Sequence, residues 1–267
     1  MIHVILDDSN DPYINLALDE VLLFSACNRL RTVPVVRIWI NRESVIIGRS
    51  LKVEDEVNIK YVDYYRIPLI RRITGGGAVY HDLGNINLSL IAPRSKRIRV
   101  EAVYREGLSI LRRAIRELGL NPYIENINDL VVNGWKVSGS AAYVSSCASL
   151  FHATLLVDAD IGMIQRLLKP RLDRVARGEV TPAKYRPRNL SDFIDVDVSG
   201  MIKLLLDAVS EVLGPYTYSS YHDSEHEAAS LLVEYKYLME EWNFHGKENP
   251  GIRKALSKII AKSQVYS

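Results

Sequence analysis

The chain has 267 residues, with 34 Lys and Arg against 32 Asp and Glu, and 48% hydrophobic against 25% charged residues. That length holds one large domain with at most a small appendage, in the composition of an ordinary globular protein. A formal net charge of +2 gives no basis for nucleic acid or an anionic membrane as the main partner, and no apolar run approaches the roughly 18 residues that span a bilayer. The N-terminus, MIHVILDDSNDPYIN, lacks the basic start and apolar core of a secretory signal, so the expectation is a cytoplasmic protein. Cys27 and Cys147 suggest neither a disulfide framework nor a zinc site. Only two glutamines beside many Glu, Lys, Arg, Ile and Tyr lean towards a heat-adapted source.

DPYINLALDEVLLFS reads as a helix with Asp11 as N-cap and Pro12 at its first position, and Ile14, Leu18, Val21 and Leu22 fall on one face. VPVVRIWI and SVIIG, β-branched runs separated by NRE, predict two paired strands. IPLIRRIT predicts a strand feeding straight into Gly75, Gly76 and Gly77, and NINLSLIA alternates well enough for another. EAVYREGLSILRRAIRELG predicts a helix with Val103, Ile110, Leu111, Ala114 and Leu118 as its apolar stripe and Gly119 as stop signal.

In DLVVNGWKVSGSAAY, Asn133-Gly134 between β-branched runs is the preferred two-residue hairpin turn. That register sets Val132 opposite Trp135, Val131 opposite Lys136 and Asp129 opposite Ser138, with Asp129, Val131, Lys136 and Ser138 on one face. Asp129 and Lys136 become diagonal neighbours, roughly 7–8 Å apart at the backbone and within side-chain reach. FHATLLVD predicts a further strand with His152 and Thr154 on a common face. From about Asp158 helices and polar loops take over, including KPRLDRVARGEVTPAKYRPRNLSD, a long basic loop of the kind that is mobile or functional. Helices are expected near 201–213 and through EHEAASLLVEYKYLMEEW, the latter with Ala228, Leu231, Leu232, Tyr235, Leu238 and Trp242 on one face. GKENPG breaks the chain before a short basic helix over 252–262.

The stretch RRITGGGAVYHD, residues 71–82, carries the first chemical signal. A phosphate-binding P-loop needs Lys-Ser/Thr after its last glycine, and Ala78-Val79 stand there instead. A dinucleotide fingerprint opens a helix, which TGGGAVYHDLGN does not. Two readings stay open: a glycine-rich hairpin of structural meaning only, or a backbone surface beside Arg71 and Arg72 for an anion.

RRITGGGAVYHDLGNINLSLI, NDLVV…WKVSGSAAY and FHATLLVD, in that order, resemble the signature blocks of lipoate–protein ligases within the lipoate/biotin ligase family. NLALDEVLL, RIWINRESVIIGRS, EVNIKYVDYYRIPLIRR and EYKYLMEEWNFHG match its other segments, so the resemblance spans about residues 10–246 and leaves 247–267 as a tail with a short basic helix. It implies an α+β fold, a mixed β-sheet core flanked by helices. It also implies a two-step reaction in which lipoate and ATP, with Mg²⁺, give lipoyl-AMP and pyrophosphate. A lysine of an acceptor domain then displaces AMP. Acceptors of this kind occur in 2-oxoacid dehydrogenase complexes and in the glycine-cleavage H protein.

By this resemblance Arg72 holds phosphate, and Gly75, Gly76, Gly77, Ala78, Val79 and Tyr80 line the ligand, where missing Cβ atoms let the backbone approach. Asn85 is a polar contact to the nucleotide. Lys136 lies between the lipoate carboxylate and the α-phosphate, where a cation offsets their repulsion and stabilises the transition state; the alternative is an exposed strand lysine. Ser138, Gly139 and Ala141 are its neighbours. Asp129 anchors Lys136 or helps to hold Mg²⁺, and His152 is a site residue or a satisfied core histidine. Trp39, Val45, Ile47 and Val79 are candidates for a dry slot around the lipoyl chain.

Two rival readings accompany this one. Related octanoyl and lipoyl transferases work without ATP and carry the acyl group on a cysteine, which makes Cys147 the residue to examine; an incidental thiol is the other reading. The remainder after Phe244 is too short for the accessory domain of many bacterial ligases. The expectation is therefore a catalytic large subunit with a separate small accessory protein, or a lipoyl-AMP-binding subunit inactive without it. His222 and His226 in HDSEH have metal-compatible helical spacing but no third ligand, and solvated residues at a helix start explain them better.

Overall fold

The computed structural model describes residues 1–96 and 98–263. Its strands are β1 (Ile2–Leu6), β2 (Val35–Trp39), β3 (Ser44–Ile47), β4 (Leu69–Arg71), β5 (Val79–His81), β6 (Asn85–Pro93), β7 (Tyr123–Glu125), β8 (Asp129–Val132), β9 (Trp135–Val144), β10 (Ala148–Leu156) and β11 (Tyr216–Tyr218). Eight of them form one mixed sheet in the order β11-β1-β2-β6-β10-β9-β8-β7, and β4-β3-β5 form a small second sheet. The α+β class with a mixed sheet and flanking helices is as expected.

Alternation along β6 decides what each sheet face does. Ile86, Leu88 and Leu90 point into a core closed by the helices Val100–Glu117 and Val198–Leu213. Asn87, Ser89 and Ile91 point the other way, towards the helix Pro12–Cys27 and the helices that follow β11. Along β6 one face is therefore apolar, while the other is polar at the positions that border the site.

Asp11 caps the first helix, accepting from the Tyr13 and Ile14 amides at 2.8 and 3.2 Å. Ile14 is only partly buried, and the helix is enclosed on several sides, with Asn15 and Asp19 inside as well as Leu18, Val21 and Leu22. The expected pairing of VPVVRIWI with SVIIG does not occur. β2 pairs with β1 and β6, whereas β3 leaves for the small sheet to pair with β4 and β5. The helix over 100–117 keeps its stripe and is followed by Gly119 at φ 76.

The Asn133-Gly134 turn forms with both residues at positive φ, 50 and 80, the signature of a type I′ hairpin. Val132 pairs with Trp135 and Val131 with Lys136 as expected, but a bulge then sets Leu130 against Ser138 and Asp129 against Gly139. The extra residue on β9 reverses which positions face the site beyond it.

The face expected through EHEAASLLVEYKYLMEEW is also interrupted. The α-helix Asp223–Leu232 passes into a π-helical turn, Val233–Tyr237. The wider turn rotates Lys236 and Tyr237 inward and leaves Tyr235 and Leu238 exposed. Lys236 is held by Glu20 at 2.8 Å, by Glu248, and over the Trp242 ring at 4.0 Å. Ile252, Leu256, Ile259 and Ile260 of the last helix enter the same core as the first helix.

Cys27 and Cys147 are joined in a disulfide across 120 residues of chain. This overturns the expectation of unpaired thiols, because two cysteines make no spacing pattern that a sequence reader can use. The bond ties the end of the first helix to the turn between β9 and β10.

Candidate active site

Two cross-strand rungs form the floor of a cavity of about 260 Å³. In one, Trp39, Asn87, Thr154 and Gly139 stand side by side on β2, β6, β10 and β9; in the next, His152 and Ala141 reach the cavity, while Ser89 beside them is bonded to Trp39 and Asp19. Directly paired residues share a face, so both rungs look the same way. The glycine loop supplies the opposite wall through Gly76, Gly77, Ala78 and Val79. The long basic segment after β10 closes the side with Lys184, Tyr185 and Pro187. It lies over β9, with the Lys136 amide donating to the Arg186 carbonyl at 2.9 Å and the Arg188 amide donating to the Lys136 carbonyl at 2.9 Å.

Lys136 points its ammonium at this cavity and rests on Asp129, Nζ to Oδ1 2.7 Å. Asp129 is fully buried, and its other oxygen accepts from Asn126 at 3.1 Å and faces Lys184 at 3.5 Å. Burial favours a protonated Asp129, but the charges of Lys136 and Lys184 outweigh it and hold the carboxyl below its ordinary range. One carboxylate thus serves two ammonium groups and leaves positive charge facing the cavity. Gly139 makes room for this arrangement, since a Cβ there would lie 2.8 Å from Lys136 Nζ.

The two arginines of the glycine stretch do different things. Arg71 is buried and donates to the carbonyls of Gly48, Arg49, Leu51, Trp242, Asn243 and Phe244, so it is a structural tie. Arg72 lines the cavity while holding its own loop, donating to Thr74 Oγ1 at 3.1 Å and to the Gly75 and Gly77 carbonyls at 2.7 and 2.8 Å. Burial lowers its pKa to about 10, with Glu56 acting against the shift. Glu56 accepts from the Ala78 amide at 2.8 Å. The loop also touches β3 closely, and a Cβ on Gly48 would meet the Gly76 carbonyl at 2.0 Å.

His152 bridges two parts of the site. Its Nδ1 lies 3.0 Å from Asp19 Oδ2 and its Nε2 lies 2.7 Å from Thr74 Oγ1. Asp19 also accepts from Ser89 Oγ at 2.9 Å and Arg37 at 3.0 Å. The first helix is therefore connected through His152 to the hydroxyl that receives Arg72.

Of the residues named from the sequence, Arg72, Gly76, Gly77, Ala78, Val79, Tyr80, Lys136, Gly139, Ala141 and His152 line one cavity. Four lie outside its lining. Gly75 gives its carbonyl to Arg72, and Asp129 stands behind Lys136. Asn85 is buried in β6, donating to Asn87 at 3.1 Å. Ser138 is buried off the wall because the β9 bulge brings Gly139 forward instead. Of the slot candidates, Trp39 and Val79 line the cavity with Leu16 and Ile46, whereas Val45 and Ile47 alternate away into the core beneath the small sheet.

The sequence reading missed Asn87, Thr154, His81 and Lys184. The first two were accessible from the period-2 pattern, which places Asn87 with Ser89 and Thr154 with His152. Lys184 had no local signal, since only tertiary folding brings its segment over β9.

His81 borders the apolar end. Burial, aided by Arg72 and His152, pushes its imidazole from the ordinary 6.5 to about 3. A histidine held neutral takes up its proton on unfolding, so this contribution is complete above pH 6.5 and is lost as pH falls towards 3. We expect a slope of up to about 1.4 kcal/mol per pH unit from this group. His81→Gln should flatten that part of a plot of denaturation midpoint against pH.

Cys147 lies in the β9–β10 turn, bonded to Cys27, and is absent from the cavity wall. Among the described residues, no group of three or more His, Cys, Asp or Glu is placed to hold a metal. His222 opens a helix, where its amide donates to Glu225 at 2.9 Å, and the His226 ring meets Tyr221 at 5.2 Å. No helix among them is long and apolar enough to cross a membrane.

A glycine-rich wall, cations over a buried aspartate and an apolar end, all in one cavity, define a site for a ligand with an anionic head and an apolar tail. The family described as lipoyl protein ligase A/B catalytic domain matches residues 11–210, and the chain belongs to it. A provisionally named lipoate-protein ligase A of Aeropyrum pernix is 42% identical over 205 residues, 76% of either chain. A bi-partite lipoate protein ligase from Thermoplasma acidophilum, solved in a study with its E2 lipoyl domain, is 29% identical with a TM-score of 0.80, covering 92% of this chain and 97% of its own. A lipoate-protein ligase A bound with ATP is 28% identical with a TM-score of 0.79, covering 92% and 99%.

Proposed function

We propose that this chain is the ATP-dependent catalytic large subunit of a lipoate–protein ligase, acting in the cytoplasm on lipoyl-acceptor domains with a separate small protein. The observation that carries the reading is the Lys136 ammonium, seated on buried Asp129 and facing the same cavity as the glycine wall and the apolar end. In the first step a lipoate carboxylate oxygen attacks the α-phosphorus of ATP and pyrophosphate leaves. Lys136, with Lys184 beside it, offsets the repulsion between the two anions and the charge that grows on the phosphoryl oxygens. In the second step an acceptor lysine amine attacks the acyl carbon and AMP leaves.

Mg²⁺ enters this scheme as part of the nucleotide substrate. Asp129 stands behind Lys136, and Lys136, Lys184 and Asn126 already engage its oxygens. It therefore serves as the anchor of Lys136 and is not free to ligate a cation. A cytoplasmic setting agrees with the disulfide if the source is heat-adapted, because intracellular disulfides are frequent in such organisms.

The partner requirement rests on the bi-partite relative. We expect the purified chain to transfer lipoate from lipoyl-AMP to an acceptor domain but not to use MgATP and lipoate by itself. Mass analysis of the acceptor reads both reactions. Full ligation by the chain alone sinks the two-part reading, and no transfer from lipoyl-AMP sinks the ligase reading with it.

A further inference from the structure

The apolar end of the cavity is not apolar throughout. Leu16, Trp39, Ile46 and Val79 belong to one hydrophobic cluster there, yet His81 and Asn87 face the same space. Both are nearly inaccessible, 3% and 2% exposed. His81 Nε2 and Asn87 Nδ2 have no hydrogen-bond partner among the described residues. The two side chains flank Trp39, which pairs with Asn87 across the sheet and meets the His81 ring at 6.0 Å.

A directed chain of hydrogen bonds fixes what His81 presents. Arg37 can only donate, and it donates to Asn15 Oδ1. Asn15 Nδ2 then donates to Asn41 Oδ1 at 2.9 Å, which leaves Asn41 Nδ2 to donate to His81 Nδ1 at 3.0 Å. With Nδ1 accepting on a neutral ring, the proton sits on Nε2. Asn87 Oδ1 accepts from Asn85 Nδ2 at 3.1 Å, and Asn87 Nδ2 is the end without a partner. Two N–H donors without partners therefore stand in the wall of a space lined mainly by Leu16, Trp39, Ile46 and Val79. Native proteins seldom leave buried donors unpaired, because each forfeits its hydration without return.

Resting on the ligase reading above, we propose that His81 and Asn87 are specificity residues that read the sulfur-bearing tail of the acyl substrate and reject an unsubstituted alkyl tail. Lipoate is octanoate carrying a dithiolane. Its sulfurs are weak acceptors and polarisable partners for the Trp39 and His81 rings. Octanoate leaves the same two donors unpaired against methylene groups, as they are in the free chain, whereas a dithiolane sulfur gives them an acceptor, and that difference is what discriminates between the two acids.

The test compares lipoate with octanoate by calorimetric binding to the full chain and by the rate of acyl transfer from the two acyl adenylates. The wild-type chain should favour lipoate, and Asn87→Leu should reduce the preference about tenfold, through weaker lipoate binding and stronger octanoate binding together. A preference carried only by the larger apolar area of the dithiolane would survive that substitution, and its survival overturns the proposal. A second measurement needs no variant. The His81 Nε2–H nitrogen resonance of the wild-type chain should shift on adding lipoate and stay on adding octanoate. A shift with ATP alone and none with lipoate also overturns the proposal. Failure of either acid to bind, with no transfer from either adenylate, would count against the ligase reading itself and is distinguishable from equal use of both.

Discussion

Lys136→Met is expected to lower the rate of adenylate formation by about 100- to 1,000-fold, the loss of one aimed positive group at a developing anion, or about 2.7–4 kcal/mol. The fold should persist, because Asp129 keeps Asn126 at 3.1 Å and Lys184 at 3.5 Å, so its carboxylate is not left without a partner. Lys136→Arg should not restore the rate. The ammonium lies against the bare backbone of Gly139, where even a Cβ would come within 2.8 Å of Nζ, and a planar guanidinium is larger and differently directed. Gly139→Ala therefore makes a second arm of the same experiment, displacing the ammonium while leaving its charge. Pyrophosphate release read beside a thermal melt separates a chemical defect from a folding one. The assay must include the accessory protein if the wild-type chain needs it.

Removal of the disulfide should have the largest effect on stability. Cys27 and Cys147 close a loop across 120 residues, and a cross-link of that span restricts the unfolded chain by about 3–5 kcal/mol. For a chain of this size that corresponds to a fall of roughly 10 °C in melting temperature. Cys27→Ser, Cys147→Ser and strong reductant should all produce it, and differential scanning calorimetry measures it. Activity well below the melting temperature should be unchanged in each. A Cys147→Ser chain that folds but transfers no acyl group would return the thiol-carrier mechanism to consideration.

What could be read from the sequence is what short segments determine for themselves. Asp11-Pro12 announces a helix start, Asn133-Gly134 a hairpin, and NINLSLIA a strand whose two faces differ, because each depends on neighbours a few residues away. The bulge that turns Ser138 inward and brings Gly139 forward depends on how β9 meets β8 and β10, and its sequence carries no mark of it. The separation of β2 from β3 is likewise a tertiary choice, since their composition suits either sheet. The π-helical turn replaces Tyr235 and Leu238 by Lys236 and Tyr237 on the buried side. Glu20, Glu248 and Trp242 give that lysine its partners, and Glu20 reaches it from the other end of the chain. Lys136 was legible only because its flanking motif resembles a family. Lys184 belongs to a stretch with no such motif, and its place beside Asp129 exists only in the folded chain.

The Arg71 tie reaches past the stretch that matches the family. The family match ends at residue 210, but the Arg71 guanidinium, just ahead of the glycine loop, finds carbonyl acceptors on Trp242, Asn243 and Phe244. β11 pairs with β1, and Trp242, Leu256 and Ile260 fill the core beside the first helix. A fragment cut at residue 210 would keep the lysine, the glycines and the cavity floor. It would also leave a buried cation short of three acceptors and bare the apolar flank of the first helix. The stretch that defines the family is shorter than the unit that folds.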